Sequence, residues 1–254
     1  AAPDAQAIEA DKCWCRLPLF PGTRLMRQGE ELTTYTKSIG GVAGAGHDFI
    51  SALQRAIAAG GLPPLGPGGA MPKDIAAAGL DELRTKLKNA TPLRLWQAYR
   101  ALQLGAGAGE IHEITGIAAH FLERLCELQA FERRWVSLQP RDLVARSTVG
   151  RDVLIEAKQS GCGDEQLARS LNIEEKRLHE HRAERGVVPR VRTLAPQAGA
   201  GHSGTEFRWF TFAGTPEASA APARDDAPVL LIGPGAIRFE RLIEVQYCLA
   251  EMVR

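Results

Sequence analysis

Residues 91–105 read TPLRLWQAYRALQLG, and their spacing decides the fold class. Thr91 followed by Pro92 is a helix-start signal. A hydroxyl there can accept from the free amides of the first turn, and the proline ring holds φ at a helical value. Leu95, Ala98, Tyr99 and Leu102 then recur at the three- and four-residue intervals that share one helix face. Gly105 is the expected stop. The same period extends both ways. Leu80, Leu83 and Leu87 share a face upstream, and the pattern continues through 110–114 and 118–131. Residues 165–171 and 174–181 read as a helix pair turning around Asn172. Residues 74–188 are therefore expected to be helical throughout, with ordinary short loops between the pieces.

Outward from this stretch the pattern changes. Residues 13–19 are short and apolar, and Phe20-Pro21-Gly22 marks a turn. Residues 37–58 begin glycine-rich and become helical, with Phe49, Leu53 and Ala56/Ile57 on one face. That helix should stop at Gly60-Gly61. Pro63-Pro64 and the run from Gly66 to Gly69 then read as a linker. Residues 196–227 show little periodicity, apart from Phe207, Trp209, Phe210 and Phe212, which suit a short strand. Residues 228–232 read as a buried strand, followed by Gly233-Pro234-Gly235 and a helix through Met252, the opening of a nucleotide-fold βα unit. One strand with one helix cannot close its own edges or bury both faces, so each flank is expected to be part of a larger domain.

Composition narrows function by exclusion. The 31 basic and 30 acidic residues leave a formal charge of +1, which provides no field for steering nucleic acid or anionic lipid. The N-terminal residues lack the charged and apolar regions of a secretory leader, and no apolar run is long enough to span a membrane. Five cysteines, an odd number, argue for free thiols in a reducing compartment rather than a disulfide framework. Cys13 and Cys15 point to one side of a strand, but a zinc site needs two further ligands and no second pair follows. His179 and His181 are two apart on a helix, share no face, and read as solvated surface residues. The Gly-Pro-Gly suits a tight strand-to-helix turn, the simpler reading, or a phosphate cradle at a helix N-terminus. Residues 164–173 also suit the first half of a helix-turn-helix DNA-binding module. Lys176, Arg177, Arg182 and Arg185 would then meet phosphates, although Glu174, Glu175, Glu180 and Glu184 dilute that face.

Five stretches, in order, resemble the large chain of carbamoyl-phosphate synthetase. Phe20-Pro21-Gly22 with residues 32–42, LTTYTKSIGGV, is similar to the family's FPG…LTTQMKSVGEV, and the likeness runs on through Gly46, Phe49, Ala52, Leu53 and Ala56. Residues 93–104 resemble its RIWYIADAFR helix. Residues 110–117, EIHEITGI, with Phe121 and Leu122, resemble its EIHELTKI segment. Ala157-Lys158, Gly161, Asp164, Leu167-Ala168 and Leu171 match its AKxxGFSDxxLAxLL, and residues 191–195 match its VDTLA. Residues 229–248, VLLIGPGAIRFERLIEVQYC, are similar to the opening of its second half.

The resemblance implies a mainly α fold. A helical oligomerisation domain over 71–190 would be flanked by the end of an ATP-grasp domain (1–70), a linker with a short strand (191–227), and the start of a Rossmann-like domain (228–254). In that family bicarbonate, ATP and ammonia or glutamine nitrogen give carbamoyl phosphate for pyrimidine and arginine biosynthesis. ATP and Mg bind outside the part matched here, so no cofactor, metal or catalytic residue is expected in this chain. The expected partners are the rest of the synthetase or its other subunits and a second copy, the dense leucines of 80–128 suiting either the interior or a self-association surface. The expected location is the cytoplasm or the mitochondrial matrix. Glu244 matches a glutamate lining the family's internal tunnel. Gly41 stands where another such Glu belongs, and Leu242 where a small Gly keeps the passage open. Glu240, Arg241, Gln246, Arg192 and His120 also depart from the pattern. These changes put a working tunnel in question and suggest a diverged scaffold or assembly subunit as the alternative.

Overall fold

The computed structural model describes residues 13–20, 31–35, 37–138, 148–194 and 207–213. In chain order the elements are β1 (Cys13–Leu19), β2 (Gly40–Gly46), α1 (Phe49–Ala59), α2 (Lys73–Ala76), α3 (Leu80–Leu87), α4 (Arg94–Gln103), α5 (Ala108–Thr115) and α6 (Ala119–Val136). Then follow α7 (Thr148–Gln159), α8 (Asp164–Ser170), α9 (Glu175–Glu184), β3 (Arg190–Leu194) and β4 (Phe207–Thr211). The fold is mainly α, as the helical period requires. The expected strand and helix of 228–254, with Leu242 and Glu244, lie outside the described residues.

β1 and β2 pair antiparallel, with Cys13 opposite Gly46 and Leu19 opposite Gly40. Their glycines have a steric reason. A Cβ on Gly44 would stand 2.2 Å from the Ala52 carbonyl oxygen and 2.4 Å from the Ala56 amide. One on Gly46 would stand 2.2 Å from Ser51 Oγ. The α1 backbone therefore lies directly on the strand, in space that a side chain would fill. Asp48 and Ser51 close a reciprocal capping box at the start of α1. The Ser51 amide donates to Asp48 Oδ1 at 2.7 Å, and the Asp48 amide to Ser51 Oγ at 3.2 Å.

Residues 62–69 overturn the expectation of a linker. The Leu65 peptide is clamped from both sides: its amide donates to Gln54 Oε1 at 3.2 Å, and its carbonyl accepts from Gln54 Nε2 and Gln166 Nε2, each at 2.7 Å. Trp96 Nε1 donates to the Pro63 carbonyl at 2.9 Å. Leu65 is buried, and a Cβ on Gly68 would fall 2.0 Å from the Gln166 carbonyl. A proline- and glycine-rich stretch looks flexible in sequence, but here its buried backbone groups are paired by side chains from three helices. Because of this loop α1 shares one core with the other helices. That core joins Leu53 and Ile57 to Leu83, Tyr99, Leu122, Trp135, Leu154 and Leu167.

Several helices end in the same way. After α1, α4, α7, α8 and α9 the chain closes with paired bonds such as Leu62 N–H to Ile57 O and Gly61 N–H to Ala58 O. This Schellman arrangement puts one residue in the left-handed region. Glycine fills it at 61, 105, 161 and 186; at α8 it is Asn172, with φ of 53°, the one non-glycine residue at positive φ among the described residues. The start of α4 differs from expectation. Thr91 does not cap it; its hydroxyl donates to Gln97 Oε1 at 3.3 Å, and the helix begins at Arg94, whose amide reaches the Thr91 carbonyl. Phe207–Thr211 forms the expected strand, but its partner β3, paired Arg190 to Thr211, was not anticipated.

Candidate functional site

Of the three residues matched to a tunnel, Gly41 alone is described. It stands opposite Pro18 on the outward face of the two-stranded sheet, the face that carries Trp14 and Arg16. A Cβ there would meet Arg16 Nε at 3.0 Å, so a glutamate at this place would stand against a guanidinium. On the inward face Cys13 and Cys15 are half-buried free thiols. Burial, helped by Asp48, raises the pKa of Cys13; burial, helped by Cys13, raises that of Cys15. Both thiols are thereby held further toward the protonated form at neutral pH. Among the described residues no group of three or more His, Cys, Asp and Glu converges on a metal position.

The densest chemistry lies where α7, α8 and α9 meet. Lys158 sits in the last turn of α7, and the left-handed Gly161 turns the chain so that Asp164, the first residue of α8, comes back beside it. Lys158 Nζ donates to Asp164 Oδ1 at 3.0 Å and to the Cys162 carbonyl at 2.8 Å. Arg182 of α9 closes the other side, with Nη2 at 2.9 Å and Nε at 3.2 Å from Asp164 Oδ2. Its Nη1 donates to the Val187 carbonyl. The side chains of Lys158 and Arg182 are only 9% and 5% exposed, which makes this a buried ionic cluster rather than a surface pair. Burial alone would raise the Asp164 carboxyl. The Arg182 hydrogen bonds and the Lys158 charge outweigh it and hold the carboxyl below its ordinary value. Phe212, just beyond β4, covers the cluster, its ring centroid 5.0 Å from Lys158 Nζ and 5.2 Å from Arg182 Cζ.

Two sequence expectations change here. Arg182 is buried and committed to Asp164, so it cannot meet a phosphate, and the DNA-facing helix loses one of its four contacts. His179 is exposed, as expected, whereas His181 is not. His179 Nδ1 lies 2.9 Å from Arg182 Nη2 and 3.4 Å from Asp164 Oδ2, at the rim of the cluster. His181 is half-buried, and its Nε2 has no hydrogen-bond partner among the described residues.

A second polar network borders a cavity of about 180 Å³ between the 64–71 loop, α4 and α6. Glu132 Oε2 accepts from Tyr99 Oη at 2.7 Å and from Gln103 Nε2 at 2.8 Å. Burial, with Glu132 beside it, drives the Tyr99 pKa far up, so the phenol remains a donor. Glu132 shares the inward face of α6 with Leu125, Leu128 and Trp135, where a reading by apolar period passes over a carboxylate.

Residues 42–186 match the family described as carbamoyl-phosphate synthetase large chain, oligomerisation domain. That span covers more than half of the chain and takes in every helix from α1 to α9. The chain belongs to this family. It is similar to the carbamoyl phosphate synthase large chain of Pseudomonas putida, 29% identical over 235 residues that cover 92% of this chain and 21% of that protein. The corresponding protein of Synechocystis is 28% identical over 229 residues, 90% of this chain and 20% of its own length. The multifunctional protein pyrABCN of Emericella nidulans is 27% identical over 245 residues, 96% of this chain and 10% of that protein. The chain thus spans about a tenth to a fifth of the relatives it matches. The oligomerisation-domain match begins inside β2, so α1 and the clamped 62–69 loop fall within it. Among the described residues no helix is long and apolar enough to cross a membrane.

Proposed function

We propose that this chain is the connecting and oligomerising segment of a carbamoyl-phosphate synthetase large chain, without catalytic activity of its own. The observation that carries the reading is coincidence: the oligomerisation-domain match and the body packed around one core cover the same elements, α1 to α9. On this reading the helical domain takes in α1 to α9, the residues before α1 end an ATP-grasp-like domain, 191–227 lead on, and 228–254 begin a Rossmann-like domain. ATP, Mg and the chemistry of bicarbonate and nitrogen belong to the rest of the synthetase. The partners are that remainder and a second copy of this segment, in the cytoplasm or the mitochondrial matrix. Sedimentation equilibrium of the full chain is expected to show concentration-dependent self-association, and an ATP-dependent carbamoyl phosphate assay is expected to show no turnover. A strictly monomeric chain, or measurable turnover, would remove this reading.

Gly41 favours a second reading, a diverged scaffold that keeps shape but not the tunnel. It leaves Arg16 facing a hydrogen where the family's glutamate would stand. The intact mass of the natural protein separates the two, because an active synthetase requires a far longer chain.

A further inference from the structure

The ionic cluster at α7–α9 does not balance. Lys158 and Arg182 bring two buried cations to one carboxylate, Asp164. Burial holds the Lys158 ammonium below its ordinary pKa even with Asp164 beside it. The Cys162 and Val187 carbonyls accept from the two cations, and the negative face of the Phe212 ring lies near both. Phe212 directly follows the strand pair β3–β4, and a two-stranded hairpin is marginal by itself in water. It is therefore held by what it leans on. Besides the ring, those contacts include Arg55 Nη2 to the Phe210 carbonyl at 3.0 Å, Gln159 Nε2 to the Phe212 carbonyl at 3.4 Å, and the buried Thr211 and Ala213. The helical body does not depend on the hairpin in return. Its buried core is drawn from α1 to α9 and their loops, and Phe212 touches that core only from the edge.

We propose that the β3–β4 hairpin is a latch, seated on the helical body by the Phe212 ring over the surplus charge of Lys158 and Arg182, and able to open while the body stays folded. Closed, it fixes the point from which residues 214–254 leave the helices. Open, it lets that point move. This holds whether or not the parent protein makes carbamoyl phosphate, because it needs only contacts within this chain.

Amide hydrogen exchange on the full 254-residue chain tests it. F212L keeps an apolar side chain and removes the ring face; K158M removes one cation and leaves Asp164 and Arg182 balanced. In both variants the amides of 207–213 are expected to exchange roughly 3- to 30-fold faster, the ratio for loss of one desolvated cation–ring contact, while α7 to α9 keep their protection. F212Y retains the ring and should exchange like the wild type. Three results would overturn the latch: wild-type exchange of 207–213 in F212L and K158M, loosening in F212Y equal to that in F212L, or acceleration of α7 to α9 in step with the hairpin.

Discussion

At the scale of single residues, Asp164 has the most to lose. It neutralises two side chains that are almost wholly buried, so D164N leaves both without a counter-charge. Breaking such a buried pair costs about 3–5 kcal/mol, which chemical denaturation would read as a lower midpoint with an unchanged slope. The pH dependence follows from the direction of its shift. A carboxyl depressed on folding contributes stability that is complete above its unfolded value, about 4, and is lost as pH falls through the lower folded value. The melting temperature of the wild type should therefore fall more steeply below about pH 4 than that of D164N. Cys162 gives a second residue-level expectation. Burial pushes its thiol up to about 12, so at pH 8 only about one molecule in ten thousand carries the thiolate. Alkylation of the native chain should spare Cys162 until denaturant is added, as peptide mass mapping would show. The pairing behind these expectations was half legible. Lys158 and Asp164 around Gly161 form a recognisable pattern, but Arg182 looked like an exposed base on a polar helix. Only α9 folding back on α8 gives it a carboxylate.

At the scale of elements, glycines sort by what surrounds them. Gly44 lies against α1 backbone, which cannot move aside as a side chain could. G44A should destabilise by about 2–3 kcal/mol through overpacking and loosen the sheet from α1. Gly109, inside α5, has open space around its Cβ position, so G109A should stabilise by about 0.5–1 kcal/mol through backbone entropy and helix propensity. Thermal melts of the two variants should move in opposite directions. The clamp on Leu65 makes a third case. Q54L would keep the volume but leave a buried amide unpaired, at a cost of about 1–3 kcal/mol. Hydrophobic period and turn chemistry made most helices readable, together with the stops at Gly61, Gly105 and Asn172. The same reasoning misplaced the start of α4, because Thr91 is a good cap that found a better partner in the buried Gln97.

At the scale of the whole molecule, the question is whether α1 belongs with the helices that follow. Ile50, Leu53 and Ile57 are buried in the common core, and burying each such side chain stabilises by roughly 1.5–3 kcal/mol. Three of them amount to several kcal/mol, comparable with the about 5–15 kcal/mol that holds a typical domain together. Removing residues 1–61 is therefore expected to abolish the cooperative melting transition followed by circular dichroism, although that cut falls at what reads as a linker. Retention of a sharp transition would mean that the helical body stands without α1.

By itself the sequence determined that the chain is mainly helical, where most helices run and stop, and which family its ordered motifs resemble. Those features depend on local spacing: which side chains share a face, and which residues tolerate a left-handed turn. Only the tertiary structure decided that residues 62–69 are clamped rather than free, that Arg182 is buried against Asp164, and that Phe212 covers two cations. Each of these depends on groups far apart in the chain, up to 101 residues for Gln166 and Leu65. Desolvation changes what a glutamine, an arginine or a phenylalanine is worth, and a side chain acquires that environment only when distant elements pack around it.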